Sequence, residues 1–419
     1  MKRIFAPSLL ALACSAAMAQ SDNIRVYGII DAGINHVSGL ANGDDNAVVS
    51  GIMDGSRLGF RGEEEISPGW RALFRLEHRL EVNNGTISNR PVSGSQVPDR
   101  LSDATLLGLP VALQPAVDQV ASLLGSQIGV NLPTASKPYG AFWDRTIYVG
   151  LVTPVGAVIM GRQYTPAYET VFTFDALATQ SSLSAGQASA IPASVTIRAD
   201  NAATYRIEKG PISASLMYAL GDVPGESDAH RLVGLQAAYK TDAFEVGAGY
   251  QTRNNELGEK SLTTTVLGAK AKLGPGTLSG LYAIVKDDHP DGLSAIAPAL
   301  TPVLGAAIAG AVQSAFTEGL IQDARQYQIG YKLETGPHTV YVAYNMFDDK
   351  RPNNADLDTY GAVYSYALSK RTDLNFVLVH FNNKGLAQAA PGQAGFLGGV
   401  TKSAGTDSNN IAMGVRHKF

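Results

Sequence analysis

The stretch from Ser56 to Glu77, SRLGFRGEEEISPGWRALFRLE, reads as two alternating strands folded back on each other. On its second arm Trp70, Ala72, Phe74 and Leu76 point one way, and Arg71, Leu73, Arg75 and Glu77 the other, because successive side chains of a strand take opposite faces. On the first arm Leu58 and Phe60 take the apolar side and leave Arg57 and Arg61 on the polar one. Between the arms, Ser67-Pro68-Gly69 supplies a tight turn, since proline fixes φ and glycine reaches positive φ. One face of this hairpin suits hydrocarbon and the other suits water, so it belongs to a membrane barrel or to one sheet of a soluble sandwich.

The rest of the chain decides between them. Equivalent turn chemistry recurs at Pro154-Val155-Gly156, Lys209-Gly210-Pro211, Thr241-Asp242, Gly274-Pro275-Gly276, Thr335-Gly336-Pro337 and Lys370-Arg371-Thr372, and each tight link is followed by a long polar one. Seven such hairpins, an opening strand near 23–34 and a closing strand near 409–419 make sixteen. Sandwiches seldom pair strictly short with strictly long links, whereas bacterial outer-membrane barrels do. The last strand keeps the alternation, with Ile411, Met413, Val415, His417 and Phe419 on one face and Ala412, Gly414, Arg416 and Lys418 on the other. Past the leader, no stretch is apolar and proline-free for the ~20 residues that a spanning helix needs. The expected fold is therefore all-β, a 16-stranded antiparallel transmembrane barrel with short periplasmic turns and long external loops around a water-filled lumen. Tyrosines near strand ends, Tyr27, Tyr239, Tyr250, Tyr331 and Tyr366, are read as interfacial girdles.

The first residues fix the compartment. Lys2 and Arg3, the apolar run Ile4 to Ala13 and the small-x-small site Ala17-Met18-Ala19 form a secretory leader, so 1–19 are expected to be cleaved and 20–419 to form the barrel. Cleavage removes Cys14, the single cysteine, and with it any disulfide framework. Loss of Lys2 and Arg3 lowers the basic count from 33 to 31 against 37 acids and takes the net charge from −4 to −6, which argues against nucleic acid as a partner.

Two stretches break the strand rhythm. Residues 104–132 and 294–321 are rich in alanine and leucine with helix-like spacing, and they lie inside the long external insertions at about 84–141 and 287–322. Short amphipathic helices packed on the rim or in the mouth are expected, with a subunit contact or a lid as the alternative.

Taken together, the opening VYGIIDAG (26–33), the hairpin 56–77, the run YVGLVTPVGAVIMGRQYTPAYE (148–169) and the terminal phenylalanine resemble the general trimeric porins of Gram-negative outer membranes, of the β-proteobacterial type. The resemblance implies three barrels to an assembly and a third loop folded into the channel. It also implies that Phe419 belongs to the signal read by the barrel-assembly machinery. The chain departs from that pattern in its lengthened second and sixth external loops.

On the family's layout the third loop falls at about 170–200, with Glu169 and Asp175 as its acids. Opposite them the wall is expected to present Arg57, Arg61, Arg71, Arg75, Arg79 and Arg162, some of which neighbours such as Glu63, Glu65 and Glu77 would neutralise. Arginine stays charged at every relevant pH, so such a ladder filters solutes by size and sign, with a mild preference for anions. Expected partners are outer-membrane lipid and lipopolysaccharide, the assembly machinery, two further copies of the chain, and small hydrophilic solutes and ions. A substrate-specific channel for one class of small anionic metabolite and a barrel adhesin are the alternatives. A hydrolase is not expected: His78, His380 and His417 lie on strands without a nucleophile motif beside them, and no helical HExxH occurs. The pairs Asp44-Asp45 and Asp348-Asp349 read as solvated loop carboxylates, so no catalytic, cofactor or metal-binding residue is assigned.

Overall fold

The computed structural model of the protein describes residues 24–85, 97–127, 142–177, 181–185, 196–221, 223–352, 354–391 and 399–419. The expected leader, with Cys14, lies outside them. The wall begins with β1 (Ile24–Val37), β2 (Asp45–Ser50), β3 (Arg57–Ser67), β4 (Trp70–Arg79), β5 (Thr146–Thr153), β6 (Gly156–Tyr164), β7 (Arg198–Lys209) and β8 (Ile212–Ala219). It continues with β9 (Leu232–Lys240), β10 (Phe244–Asn254), β11 (Lys260–Leu273), β12 (Gly276–Asp287), β13 (Gln322–Thr335), β14 (His338–Asp349), β15 (Leu357–Ala367) and β16 (Thr372–Asn383). Two short strands, β17 (Ala389–Ala390) and β18 (Gly399–Val400), pair only with each other, and β19 (Ser408–Lys418) ends the wall.

Each wall strand from β3 to β16 pairs antiparallel with the next, and β16 pairs with β19. The ring closes at β1. Its far half pairs with β19, from Ile29 opposite Lys418 to Val37 opposite Asn410. Its other edge pairs with β3 from Ile24 to Ile29 and with β2 from Ala32 to Val37, so β2 and β3 are two halves of one stave. Seventeen strands thus make sixteen staves around a closed barrel. The last residue completes the seam: the Gly28 N–H donates to the Phe419 carbonyl (3.0 Å) and the Phe419 N–H to the Gly28 carbonyl (3.1 Å). All seven turns read from the sequence join consecutive wall strands.

Alternation sets the two surfaces. Val149, Met160, Leu216, Leu267, Ile329 and Met413 stand exposed on the outside, where only a hydrocarbon surrounding makes such a belt favourable. At its short-turn edge Trp70, Tyr239, Phe244, Tyr364 and Phe419 remain partly exposed, as an interfacial girdle requires. Tyr27 does not join that girdle, contrary to the sequence reading: it turns inward, where its hydroxyl donates to Glu77 Oε2 (3.0 Å). A phenol facing an aqueous lumen that holds an ionised partner outweighs the preference of tyrosine for the interface.

The alanine-rich insertions do form helices: α1 (Asp99–Ser102) and α2 (Gln114–Gln127) between β4 and β5, α4 (Ile296–Leu304) and α5 (Ala306–Leu320) between β12 and β13. A further helix, α3 (Pro166–Phe174), follows β6. No helix among the described residues is long and apolar enough to cross a membrane. The helices of the two insertions bury one shared apolar core, in which Ala104, Val117 and Val120 meet Ile296, Leu300, Val312 and Phe316. This core lies apart from the wall. Truncating Phe316 to Ala is therefore expected to cost about 3–5 kcal/mol locally. Limited proteolysis should then cut within 97–127 and 293–321, while the heat-modifiable gel mobility of the barrel stays unchanged.

Candidate pore constriction

The third long connection leaves β6 and runs inward. Pro166 at the first helical position has the φ a helix needs and no N–H to lose, so α3 starts directly after the strand, earlier than the expected 170. The Thr165 hydroxyl donates to the Thr196 carbonyl (2.5 Å), which ties the two ends of the loop together. Wall glycines make room for the helix. A Cβ at Gly268 would lie 2.2 Å from Cγ of Phe174, and only a bare backbone lets that ring lie flat on β11.

Beyond α3 the wall holds the loop by amide side chains. The Ala176 N–H donates to Gln328 Oε1 (3.1 Å), Gln326 Nε2 to the Ala185 carbonyl (2.7 Å), Asn345 Nδ2 to the Leu183 carbonyl (3.1 Å), and Ser182 Oγ to Asn410 Oδ1 (2.6 Å). At the start, the Ala167 N–H donates to Gln251 Oε1 (3.3 Å). The described part of the loop therefore lies along the inner wall from β10 round to β19. Residues 178–180 and 186–195 of the expected loop lie outside the described residues.

Opposite the loop, β1, β3 and β4 carry a row of arginines. Arg25, Arg61 and Arg75 are register partners across the three strands. Like charges directly opposite one another are destabilising, so the row needs compensation. Arg61 and Arg75 lie over the ring of Tyr27, 5.3 and 5.2 Å from its centroid. Tyr27 can lie across the strand because its register partner is Gly59, where a Cβ would sit 2.3 Å from Cζ of the phenol. The single carboxylate at the centre is Glu77, fully buried, bonded to Arg145 Nε (2.6 Å), Arg75 Nη2 (2.8 Å) and the Tyr27 hydroxyl. Removing one partner from a buried charge set of this kind typically costs roughly 3–5 kcal/mol, because the remaining charges lose their compensation. Arg145 and Arg198 both donate to the Tyr164 hydroxyl (3.1 and 2.9 Å), which links the row to the base of the third loop.

The sequence-selected residues distribute unevenly over this site. Arg57, Arg61 and Arg75 lie together on two adjacent strands, and Asp54 holds Arg57 at 3.3 Å. Among the described residues no ion pair joins Arg25, Arg61 or Arg198 to a carboxylate. The other assignments need correction. Arg79 is buried and pairs with Asp144 (2.9 Å), so it does not line the water path. Arg162 is buried and pairs with Asp200 (2.8 Å) for the same reason: a charge taken out of water must be matched. Arg71 is exposed beside the short turn, 3.3 Å from Glu63, far along the strand from the loop. Of the loop acids, Glu169 faces a wall arginine, but it is Arg206 (2.5 Å), not one of those selected.

Among the described residues Asp175 forms no ion pair with an arginine. Its carboxylate accepts the N–H groups of Leu177 and Ala185 and the Gln328 amide, all at 3.1 Å, and so fastens the turn after α3. Burial pushes this carboxyl up to about 6, against the pull of those donors. The wall glutamines, Arg145 and Arg198 went unselected in the sequence, and Tyr27 was assigned to the interface instead of the lumen. The one signal that could have found Arg145 is its place just before a strand in a segment otherwise poor in charge.

A closed barrel with an apolar belt outside and charged, loop-narrowed water space inside defines the class: a transmembrane diffusion channel. Residues 6–386 match the Gram-negative porin family, and the chain belongs to it. It is 23% identical over the whole of both chains to an outer membrane porin protein of Bordetella pertussis, and 24% identical to outer membrane porin protein 32 of Delftia acidovorans, over 100% of this chain and 99% of that one. Among solved structures it is similar in fold to an anion-selective porin from Comamonas acidovorans (TM-score 0.67, 21% identity, 94% of this chain and 99% of that chain). The protein is thus an outer-membrane porin of a Gram-negative bacterium.

Two outcomes follow from the loop's attachment. Gly268→Leu should force Phe174 off the wall, and single-channel recording should show altered conductance with frequent brief closures. The second concerns pH. A carboxyl whose pKa is raised on folding binds its proton more tightly in the folded state. Its contribution is therefore fully present below the ordinary carboxylate range and fades as pH rises through about 6. Open-channel noise should accordingly grow between pH 4 and roughly 7, and Asp175→Asn should flatten that dependence.

Proposed function

We propose that the channel passes small hydrophilic solutes and ions with a mild preference for anions, set by the row Arg25, Arg61 and Arg75. The observation that carries the reading is the imbalance around Glu77: this one carboxylate is shared by Arg75 and Arg145, while Arg61, opposite Arg75, has an aromatic ring and, among the described residues, no carboxylate as partner. Across the lumen Glu169 is engaged by Arg206 and Asp175 by backbone amides, so the loop offers little negative charge to offset the row. The likeness to a porin whose description is anion-selective points the same way. Arg57 contributes less, being held by Asp54, and Arg71 contributes nothing to the narrow region.

The chain acts as a conduit and performs no chemistry on its solutes. We further infer a homotrimer seated in lipid and lipopolysaccharide. Phe419 would serve the barrel-assembly machinery as a terminal aromatic: its ring packs over Gly28 on the outside of the closing seam.

Planar-bilayer recording in a salt gradient tests the charge assignment. The wild-type reversal potential should have the anion-selective sign. A unit charge acts on an ion ~4 Å away with about 1 kcal/mol in water, attracting an anion and repelling a cation, so Arg61→Ala should lower the anion-to-cation permeability ratio roughly thirtyfold at most. Arg71→Ala should leave it where it was. A cation-selective wild type would sink the proposal, and block by micromolar amounts of one metabolite would favour a substrate-specific channel instead.

A further inference from the structure

The two helical insertions leave the wall on opposite sides of the ring. Counting staves from β1, with β2 and β3 as one, β4 and β5 are the third and fourth, and β12 and β13 the eleventh and twelfth. Eight of the sixteen staves separate the two points of departure in either direction. Connections that start so far apart can share a core only by crossing the mouth of the barrel or by following half of its rim. They share one nonetheless: Val117 and Val120 from one side and Val312 and Phe316 from the other are all buried in the same cluster.

Polar anchors tie the bundle to the rim. Arg100 Nη1 donates to the Gly319 carbonyl (2.7 Å), and Gly319 approaches α1 so closely that a Cβ there would lie 2.9 Å from Cδ2 of Leu101. The Asp99 N–H donates to Gln388 in the last connection (2.6 Å), and Arg351, after β14, donates to the Ile321 carbonyl (2.8 Å). At the far side Glu256, after β10, accepts the N–H groups of Gly292 (2.7 Å) and Ser294 (3.0 Å), which pins the root of the sixth connection. The bundle is thus tied to the rim at β10, β14 and β16 while reaching it from β4. Charge is sparse in its four helices, with Asp99, Arg100, Asp118 and Glu318 the only ionisable side chains.

We propose that the bundle is a roof over the external entrance, a size filter upstream of the third loop that leaves the discrimination of charge to the arginines below. A nearly neutral cover held by apolar packing obstructs a solute by its volume and exerts little field on its sign. The proposal rests on the porin reading.

Two variants test it. Leu101→Cys with Gly319→Cys should form an intrachain disulfide in the folded porin, seen as a reducible shift in gel mobility. Replacing 296–320 by a short Gly-Ser linker should raise the liposome-swelling rate for the longer members of a series of neutral oligosaccharides severalfold, with the reversal potential in KCl unchanged. Failure of the disulfide to form, an unaltered size dependence, or a shift of the reversal potential would overturn the roof. A parent protein without KCl conductance would instead overturn the pore reading on which it stands.

Discussion

Every backbone amide at the depth of the hydrocarbon must find its partner within the protein, and β1 is where that demand is met last. It gives one edge to β2 and β3 and the other to β19, and the final carbonyl of the chain is used by Gly28. A single unpaired edge would leave a row of N–H and C=O groups in lipid, each costing several kcal/mol. Closure therefore comes before all else in the structure. It fixes an even number of staves, sends alternate side chains to lipid and to water, and creates a lumen that no folding segment had to bury.

That lumen then becomes a second interior, organised by polar contacts. On one side, amides of Gln251, Gln326, Gln328 and Asn345 meet the backbone of the third loop, which a soluble protein would have left to water. On the other, guanidinium groups are held apart by Tyr27 and gathered around Glu77. The two halves meet at Tyr164, whose hydroxyl takes donors from Arg145 and Arg198 at the point where the loop leaves the wall. The same residue thus belongs to the loop's hinge and to the charged wall, so the position of the loop and the field across the water are linked through one side chain.

Much of the candidate site was written in the pattern of strands. Parity alone placed Arg57, Arg61 and Arg75 on the inner face, and the register of a tight hairpin set Arg61 opposite Arg75. What parity could not supply was depth and partner. Arg79 has the same parity as Arg75, whereas Arg162 shares the parity of the outward Met160 and sits at the register irregularity between Gly161 and Gln163, and Asp144 and Asp200, from other segments of the chain, take both out of the water. Asp175 stands in the expected loop, but the chain turns back on it, so its oxygens are consumed by the amides of Leu177 and Ala185.

By itself, then, the amino-acid sequence determined the class of fold, the number of staves, the face that β3, β4 and β19 turn to lipid and the position of every short turn. These follow from periodicity two and from local turn chemistry, both of which act over a few residues. Only the tertiary structure decided which arginines keep a free charge, how the third loop is nailed to the wall, and that insertions some 180 residues apart in the chain share one core. The reason is physical: a closed ring brings residues together across its own diameter, and no local pattern records what will be found on the opposite side.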